Sequence, residues 1–251
     1  MPPGGRWRAE RRIGTATQLH EPWPQEEYRA ERTVAICDVV GLPTLVLGSA
    51  QPDPVIHPGI GTAEFDIARR ASGGGAVLVS PGRQVWIDVW LPKGDPLWDD
   101  DVVRSSRWLG SAWSRALCDL GSRAQDLDVH RGRLTRTRWS DLICFAGLGP
   151  GEVSWRNRKL VGLSQRRTRA GARFHTMSPL DPVRVSGLHI PVREIGQGLE
   201  SDGANEIDAF LQTQTTCLAE VVASTDTADH AEVLEQVAQS VVSVVSADSA
   251  D

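Results

Sequence analysis

Between residues 69 and 91 the chain reads RRASGGGAVLVSPGRQVWIDVWL, and no other stretch limits the possible folds as much. Three consecutive glycines, Gly73, Gly74 and Gly75, carry no β-carbon, so the main chain there can take positive φ and pass close to a neighbour or a ligand. Short apolar runs stand on either side, at 65–69 and 76–80. Pro81-Gly82 then turns the chain into QVWIDVWL at 84–91, which alternates as a half-buried strand. The simplest reading is a hairpin with glycines on one side and Pro-Gly on the other.

Around this stretch the pattern is that of further short strands and a few helices. Residues 33–40 and 44–47 are short and β-branched, and read as strands. Pro52, Pro54, Pro58, Gly59 and Gly61 make the next segment a loop. A helix is predicted over 99–120: three aspartates suit its start, apolar residues recur every three or four positions, and Gly121 caps its end. Residues 142–147 (LICFAG), 153–155, 159–163 and 164–168 read as short strands separated by turns. Residues 178–203 are Pro- and Gly-rich connections. Helices are expected over 205–223 and 228–245. The predicted organisation is a flexible arm over 1–32, one α+β domain over 33–223 with a mixed sheet flanked by helices, and a C-terminal helix and solvated tail over 224–251.

Composition excludes several functions. At 251 residues the chain can bury a sizeable core, and a net charge of -5 gives no general attraction to nucleic acid or anionic lipid. No run of eighteen apolar residues exists, and the basic start MPPGGRWRAERRIGT has no apolar core of a secretory signal after it. Cys37, Cys118, Cys144 and Cys217 are scattered without CxxC spacing, which fits a reduced, cytoplasmic protein. His57, His130, His175, His189 and His230 are isolated and His20 lies in the arm, so no metal site is expected.

Two segments carry chemistry. In Arg69-Arg-Ala-Ser-Gly-Gly-Gly-Ala-Val77, bare N–H groups form a nest for anionic oxygens, and Arg69 and Arg70 point in opposite directions on a strand. In Arg158-Lys-Leu-Val-Gly-Leu-Ser-Gln-Arg-Arg-Thr-Arg169, one lysine stands among arginines. Ordinary alternation puts Lys159, Val161 and Leu163 on one face and Leu160, Gly162 and Ser164 on the other. As a compact point charge Lys159 suits a phosphate or a developing negative charge. RNA binding is a rival for so basic a stretch, weakened by the acidic balance and by the lack of nearby stacking aromatics beyond Trp155.

Taken together, in this order, the two segments resemble the lipoate protein ligase family of the biotin/lipoate protein ligase superfamily. The glycine segment resembles that family's signature loop, Arg158-Lys-Leu-Val-Gly-Leu-Ser-Gln-Arg-Arg resembles its lysine motif, and Thr44-Leu-Val-Leu-Gly-Ser-Ala-Gln51 resembles its strand ending in a Gly-x-x-Gln turn. The resemblance spans roughly residues 33–222. It implies an α+β fold shared with biotin ligases and class II aminoacyl-tRNA synthetases. It implies ATP-dependent activation of lipoate or octanoate to an acyl adenylate, with Mg2+ held through phosphate oxygens and water. A lysine of a lipoyl acceptor domain, in a 2-oxoacid dehydrogenase complex or a glycine cleavage protein, then takes the acyl group.

By the same resemblance Lys159 contacts the acyl carbonyl and the phosphate. Gly73, Gly74 and Gly75, with Ser72, line the adenylate, and Arg70 contacts phosphate or carboxylate through its fork. Ala76 and Val77 border the acyl tunnel, and Gly162, Ser164 and Gln165 form the wall across from them. There are departures. Leu78, Val79 and Ser80 stand where the family often has a histidine, and the Asn-x-Ala helix that often opens the domain has no clear copy. The chain stops about where the catalytic domain should, which leaves three expectations: a separate accessory partner for adenylation, use of a preformed adenylate, or transfer alone. The rival within the fold is an octanoyl transferase working through a cysteine thioester without ATP, with Cys144 and Cys217 as candidates. A catalytically impaired acyl or adenylate binder is a third possibility. Biotin ligase is disfavoured because the Gly-Arg-Gly-Arg pattern is absent.

Overall fold

The computed structural model describes residues 7–22, 31–53, 65–184, 203–222 and 230–247. His57, His189 and the end of the tail lie outside them, as do most of the loop expected near residues 52–61 and of the connections over 178–203.

The strands are β1 (Arg8–Gly14), β2 (Thr33–Val39), β3 (Thr44–Leu47), β4 (Asp66–Arg69), β5 (Val77–Val79), β6 (Gln84–Pro92), β7 (Leu127–Val129), β8 (Val153–Trp155), β9 (Arg158–Arg167) and β10 (Gly171–Pro179). The helices are α1 (Ala16–His20), α2 (Arg107–Asp119), α3 (Gly203–Gln214), α4 (Leu218–Val221) and α5 (His230–Ala247). Seven strands form a mixed sheet in the order β1-β2-β6-β10-β9-β8-β7, and three form a small sheet, β4-β3-β5. The α+β expectation holds.

Strand β6 explains the layering. Its odd residues Val85, Ile87, Val89 and Leu91 enter the main core with Leu109, Trp113 and Leu117 of α2 and with Val237 and Val241 of α5. Its even residues Trp86 and Trp90 enter a second core with Leu19 of α1, Val46 of β3 and Val79 of β5. Both faces are therefore covered, not one. The strand was expected to be half-buried, but α1 and the small sheet pack over Trp86 and Trp90.

The hairpin expected around Pro81-Gly82 does not form. The turn is present, with Arg83 N donating to Ser80 O, but β5 pairs with β3 in the small sheet while β6 pairs with β2 and β10 in the large one. For β6 the gain is length, since β10 pairs with it along all nine residues whereas β5 has only three.

Four more expectations change. The arm is not loose: β1 pairs parallel with β2 from Arg8 to Gly14, and the Arg11 guanidinium bridges Asp38 of β2 at 2.6 Å and Glu235 of α5 at 2.7 Å. Helix α2 starts at Arg107, because residues 99–106 spend their aspartates on turns: Asp101 accepts from Val103 N and Arg104 N. Its end is as expected, with Gly121 at φ 96 and Gly121 N and Ser122 N donating back to Cys118 O and Leu117 O. Residues 142–147 give a 3-10 turn at Cys144–Ala146 instead of a strand. The helix expected over 205–223 breaks at Thr215–Cys217, where Thr216 N donates to Lys159 O and the chain is extended.

Strand β10 was not anticipated. Arg173, His175 and Thr176 disguise it as a polar connection, yet it is a central strand, and His175 sits directly opposite Asp88 of β6. Residues 159–163 and 164–168 are one continuous strand, β9.

Candidate active site

The glycine loop is built from its two entry strands. Arg70 N donates to Leu47 O, and Ser49 N donates to Ser72 O, so the ends of β3 and β4 are held side by side. Gln51 Oε1 accepts from Gly48 N at 2.9 Å, and its Nε2 donates to Asp141 O and Leu142 O. The two arginines both serve the loop. Arg69 donates to Gly48 O at 2.8 Å and to Gln51 O. Arg70 is buried, and donates to Val46 O at 3.2 Å, Gly73 O at 2.8 Å and Gly75 O at 2.7 Å. Its terminal nitrogens were expected on a phosphate or carboxylate. Instead they gather three carbonyls of the small sheet and the loop, which hold the loop in shape.

Lys159 stands on β9 beside a β-bulge. Ser154 pairs with Lys159 but Val153 pairs with Val161, so Leu160 is the extra residue. The bulge resets the alternation. Leu160 and Val161 both enter the main core, and the Lys159 side chain runs past Gly162, where an added β-carbon would lie 3.7 Å from its Cε. Lys159 therefore shares a face with Gly162, not with Val161 and Leu163 as ordinary alternation implies. Its ammonium is buried. It contacts the Glu152 carboxylate at 2.7 Å, donates to Cys144 O and Gly147 O at 2.9 Å each, and lies 5.0 Å from the centre of the Phe145 ring. Glu152 also accepts from Gly149 N at 2.6 Å and Leu163 N at 2.9 Å. Sequence reasoning missed Glu152, since a single acid in a turn carries no signal of its own.

Two cavities meet here. One of about 230 Å³ is lined by Ser72, the three glycines, Glu152, Lys159, Ser164 and Gln165. A narrow one of about 50 Å³ is lined by Arg70, Val77, Val79, Gly162, Met177 and, unexpectedly, His20, Trp86 and His175. Cys144, Leu163 and Ser164 line both. Ser72 Oγ and Ser164 Oγ are 3.0 Å apart, closing the glycine loop against β9. The structure thus brings together Lys159, Ser72, Gly73, Gly74, Gly75, Ser164 and Gln165 in one cavity, and Arg70, Val77 and Gly162 in the other. Ala76 faces a third, larger cavity of about 580 Å³ shared with Val77. Cys217 is buried, lines none of these cavities, and its thiol is pushed up by burial.

A buried ionic cluster closes the narrow cavity. Asp88 Oδ1 meets His175 Nδ1 at 2.7 Å and accepts from Trp86 Nε1 at 2.7 Å, while Arg173 bridges Oδ2. Arg173 also donates to Leu19 O and Glu21 O, anchoring α1. The isolated histidines of the sequence are here neighbours: His20 and His175 lie 5.1 Å apart, ring to ring. Burial first, then His175, lowers the His20 pKa from 6.5 to about 2. Burial likewise lowers His175, against the pull of Asp88. Burial alone would raise Asp88, but Arg173 and His175 hold it well below the usual carboxylate range.

The unfolded chain therefore binds protons below pH 6.5 at His20 and His175 that the folded chain does not, and binds another at Asp88 below pH 3.8. All three contributions are complete above pH 6.5 and are lost as pH falls. Urea midpoints measured downward from pH 7 are expected to decline from about pH 6.5, and less steeply in His20→Phe; an unchanged slope in that variant would contradict this.

Comparison with known proteins places this fold in a family. Residues 26–242 match the family model for the lipoyl protein ligase A/B catalytic domain. No curated protein sequence matches the chain. Among solved structures, the chain is similar to the bi-partite lipoate protein ligase of Thermoplasma acidophilum, with TM-score 0.61 and 14% identity, covering 96% of this chain and 84% of that one. It is similar to a Thermoplasma acidophilum protein solved with bound lipoic acid, with TM-score 0.59 and 15% identity over 96% and 85% of the two chains. It is also similar to a lipoate-protein ligase A bound with ATP, with TM-score 0.58 and 14% identity over 96% and 85%. The fold is that of these catalytic domains, and with its glycine loop, bulged lysine strand and paired cavities the chain belongs to the lipoyl protein ligase A/B catalytic domain family.

Proposed function

We propose that the chain is a ligase that activates lipoate or octanoate with ATP and passes the acyl group to a lysine of a lipoyl acceptor domain. One observation carries this reading: the cavity lined by Lys159 and the glycine loop shares three of its wall residues, Cys144, Leu163 and Ser164, with a narrow apolar cavity. A carboxylate and nucleotide suit the first and an acyl chain suits the second. Relatives solved with lipoic acid and with ATP support the two substrates. The relative described together with an E2 lipoyl domain supports the acceptor.

In the first step a carboxylate oxygen of the acid attacks the α-phosphorus of ATP, and pyrophosphate leaves. In the second the acceptor amine attacks the acyl carbon, the bond to the phosphate oxygen breaks, AMP leaves, and the amine proton goes to solvent. Lys159 offsets negative charge at the acyl carbonyl or the phosphate. It has three acceptors for its three protons, so a ligand oxygen that binds it takes the place of one of them. Among the described residues Glu152 is the one acid lining that cavity, and both of its oxygens already accept hydrogen bonds. Mg2+ is accordingly assigned to phosphate oxygens and water. Ser72 and the backbone of Gly73, Gly74 and Gly75 would line the adenylate, with Ser164 and Gln165 across from them.

The rival reading, acyl transfer through a cysteine thioester, rests on Cys144 lining both cavities. Pyrophosphate release from ATP separates the two. Release that depends on lipoate, in the wild type and equally in Cys144→Ala, is expected of the ligase. Transfer from an acyl carrier protein without ATP, lost in Cys144→Ala, would establish the transferase. Adenylate binding without either reaction would mean an impaired binder. If release requires an added accessory protein, the ligase is bi-partite.

A further inference from the structure

Among the described residues five large apolar side chains are exposed, and they fall at two places. Ile13, Val40 and Leu42 lie where β1 and β2 end. Val102 and Leu134, 54% and 45% exposed, both line the cavity that holds Lys159 and the glycine loop. Leu134 belongs to a loop, residues 131–136, that is exposed along its whole length. The loop is nevertheless fastened. His130 N donates to Glu152 O, His130 Nε2 contacts Arg133 O at 2.8 Å, and Thr135 and Leu148 exchange backbone hydrogen bonds. The guanidinium of Arg107, next in the chain to the cavity-lining Ser106, donates to Arg131 O. Charge on the loop is only partly matched. Arg136 pairs with Asp141 and Arg138 with Glu206, but Arg131 and Arg133 make no ion pair among the described residues. Beside Val102, Arg104 pairs with Asp99 and Asp101, and Asp100 accepts from the Trp98 indole N–H. The two arginines leave the mouth of the cavity positive on a chain whose net charge is -5. Neither arginine lines the cavity, so they face what comes to its mouth rather than what fills it.

We propose that the 131–136 loop and Val102 form the docking rim for the acceptor domain, and that the acceptor it takes carries carboxylates on both sides of its target lysine. This rests on the ligase reading above. An ammonium group approaching Lys159 past two arginines is repelled unless its own neighbours are acidic. Glutamates beside the target lysine pair with Arg131 and Arg133, while aliphatic parts of the same segment cover Leu134 and Val102.

The test uses one lipoyl domain in two forms, with glutamate or with glutamine on both sides of its target lysine. Lipoyl adenylate is supplied, so ATP is not needed. Wild type is expected to show a KM about fivefold lower for the glutamate form at low salt, with equal kcat, and the difference should vanish at about 0.5 M salt. In the double variant Arg131→Gln, Arg133→Gln the preference should fall to about unity, and in Arg131→Lys, Arg133→Lys it should persist. Transfer to hydroxylamine, which needs no docking, should be unchanged in both. The substituted side chains are exposed, so both variants are expected to fold. Equal KM for the two forms in the wild type, or an unchanged preference in the glutamine variant, overturns the proposal. Weaker ATP binding by that variant with the preference intact also overturns it, and assigns the arginines to phosphate. Binding of the two forms without acyl donor is read in parallel by calorimetry. A glutamate preference in binding with no transfer counts against the ligase reading but not against this one.

Discussion

Lys159→Ala is expected to lose acyl transfer by a factor of about 10²–10³, the usual effect of deleting one donor to a developing negative charge. It is also expected to be unstable. The Nζ–Glu152 distance is 2.7 Å and both side chains are buried, so removing the ammonium strands a buried carboxylate, at a cost of about 3–5 kcal/mol. The single variant therefore confuses a catalytic defect with a folding defect. The double variant Lys159→Met, Glu152→Gln removes both charges together and should recover most of the urea midpoint, since replacing a whole buried pair is often neutral. It should not recover transfer from a preformed acyl adenylate. A stable double variant with wild-type transfer would remove Lys159 from the mechanism.

The second large effect is at Gly75. A β-carbon there would stand 2.6 Å from Ile143 C and 2.7 Å from Ile143 N and Cys144 N, all main-chain atoms that cannot swing aside. Gly75→Ala must push the loop away from the 3-10 turn, straining the bonds Ala76 N to Leu142 O and Cys144 N to Ala76 O. A stability loss of about 1–3 kcal/mol is expected, together with loss of nucleotide binding. Gly73→Ala is the control, because its β-carbon would meet nothing within 4 Å. Its melting temperature should stay close to wild type. If Gly75→Ala binds ATP as wild type does, the loop is not the nucleotide cradle.

The two motifs were legible because their chemistry is local: three glycines remove side chains, and one lysine stands out among arginines. Short β-branched runs were legible too, and β2, β3 and β4 fall where they were expected. What was hidden depends on pairing across the sheet. Arg173, His175 and Thr176 look like a polar connection until Asp88 is placed opposite His175. The bulge at Leu160 is invisible to a period-two count, yet it decides which face Lys159 takes. Glu152 and His20 reach the cavities through a turn and a five-residue helix, neither of which leaves a periodic trace.

The place of α1 bears on how the protein can be trimmed. A fragment cut to residues 33–223, the span drawn from the motifs, would keep the glycine loop and Lys159. It would shed β1, the ring stacked on Trp86, and the helix that covers Val85, Ile87 and Val89. Such a piece would carry every motif residue and still lack a wall of the narrow cavity. Segments that look dispensable by sequence are, in this architecture, part of the walls and the core of the domain.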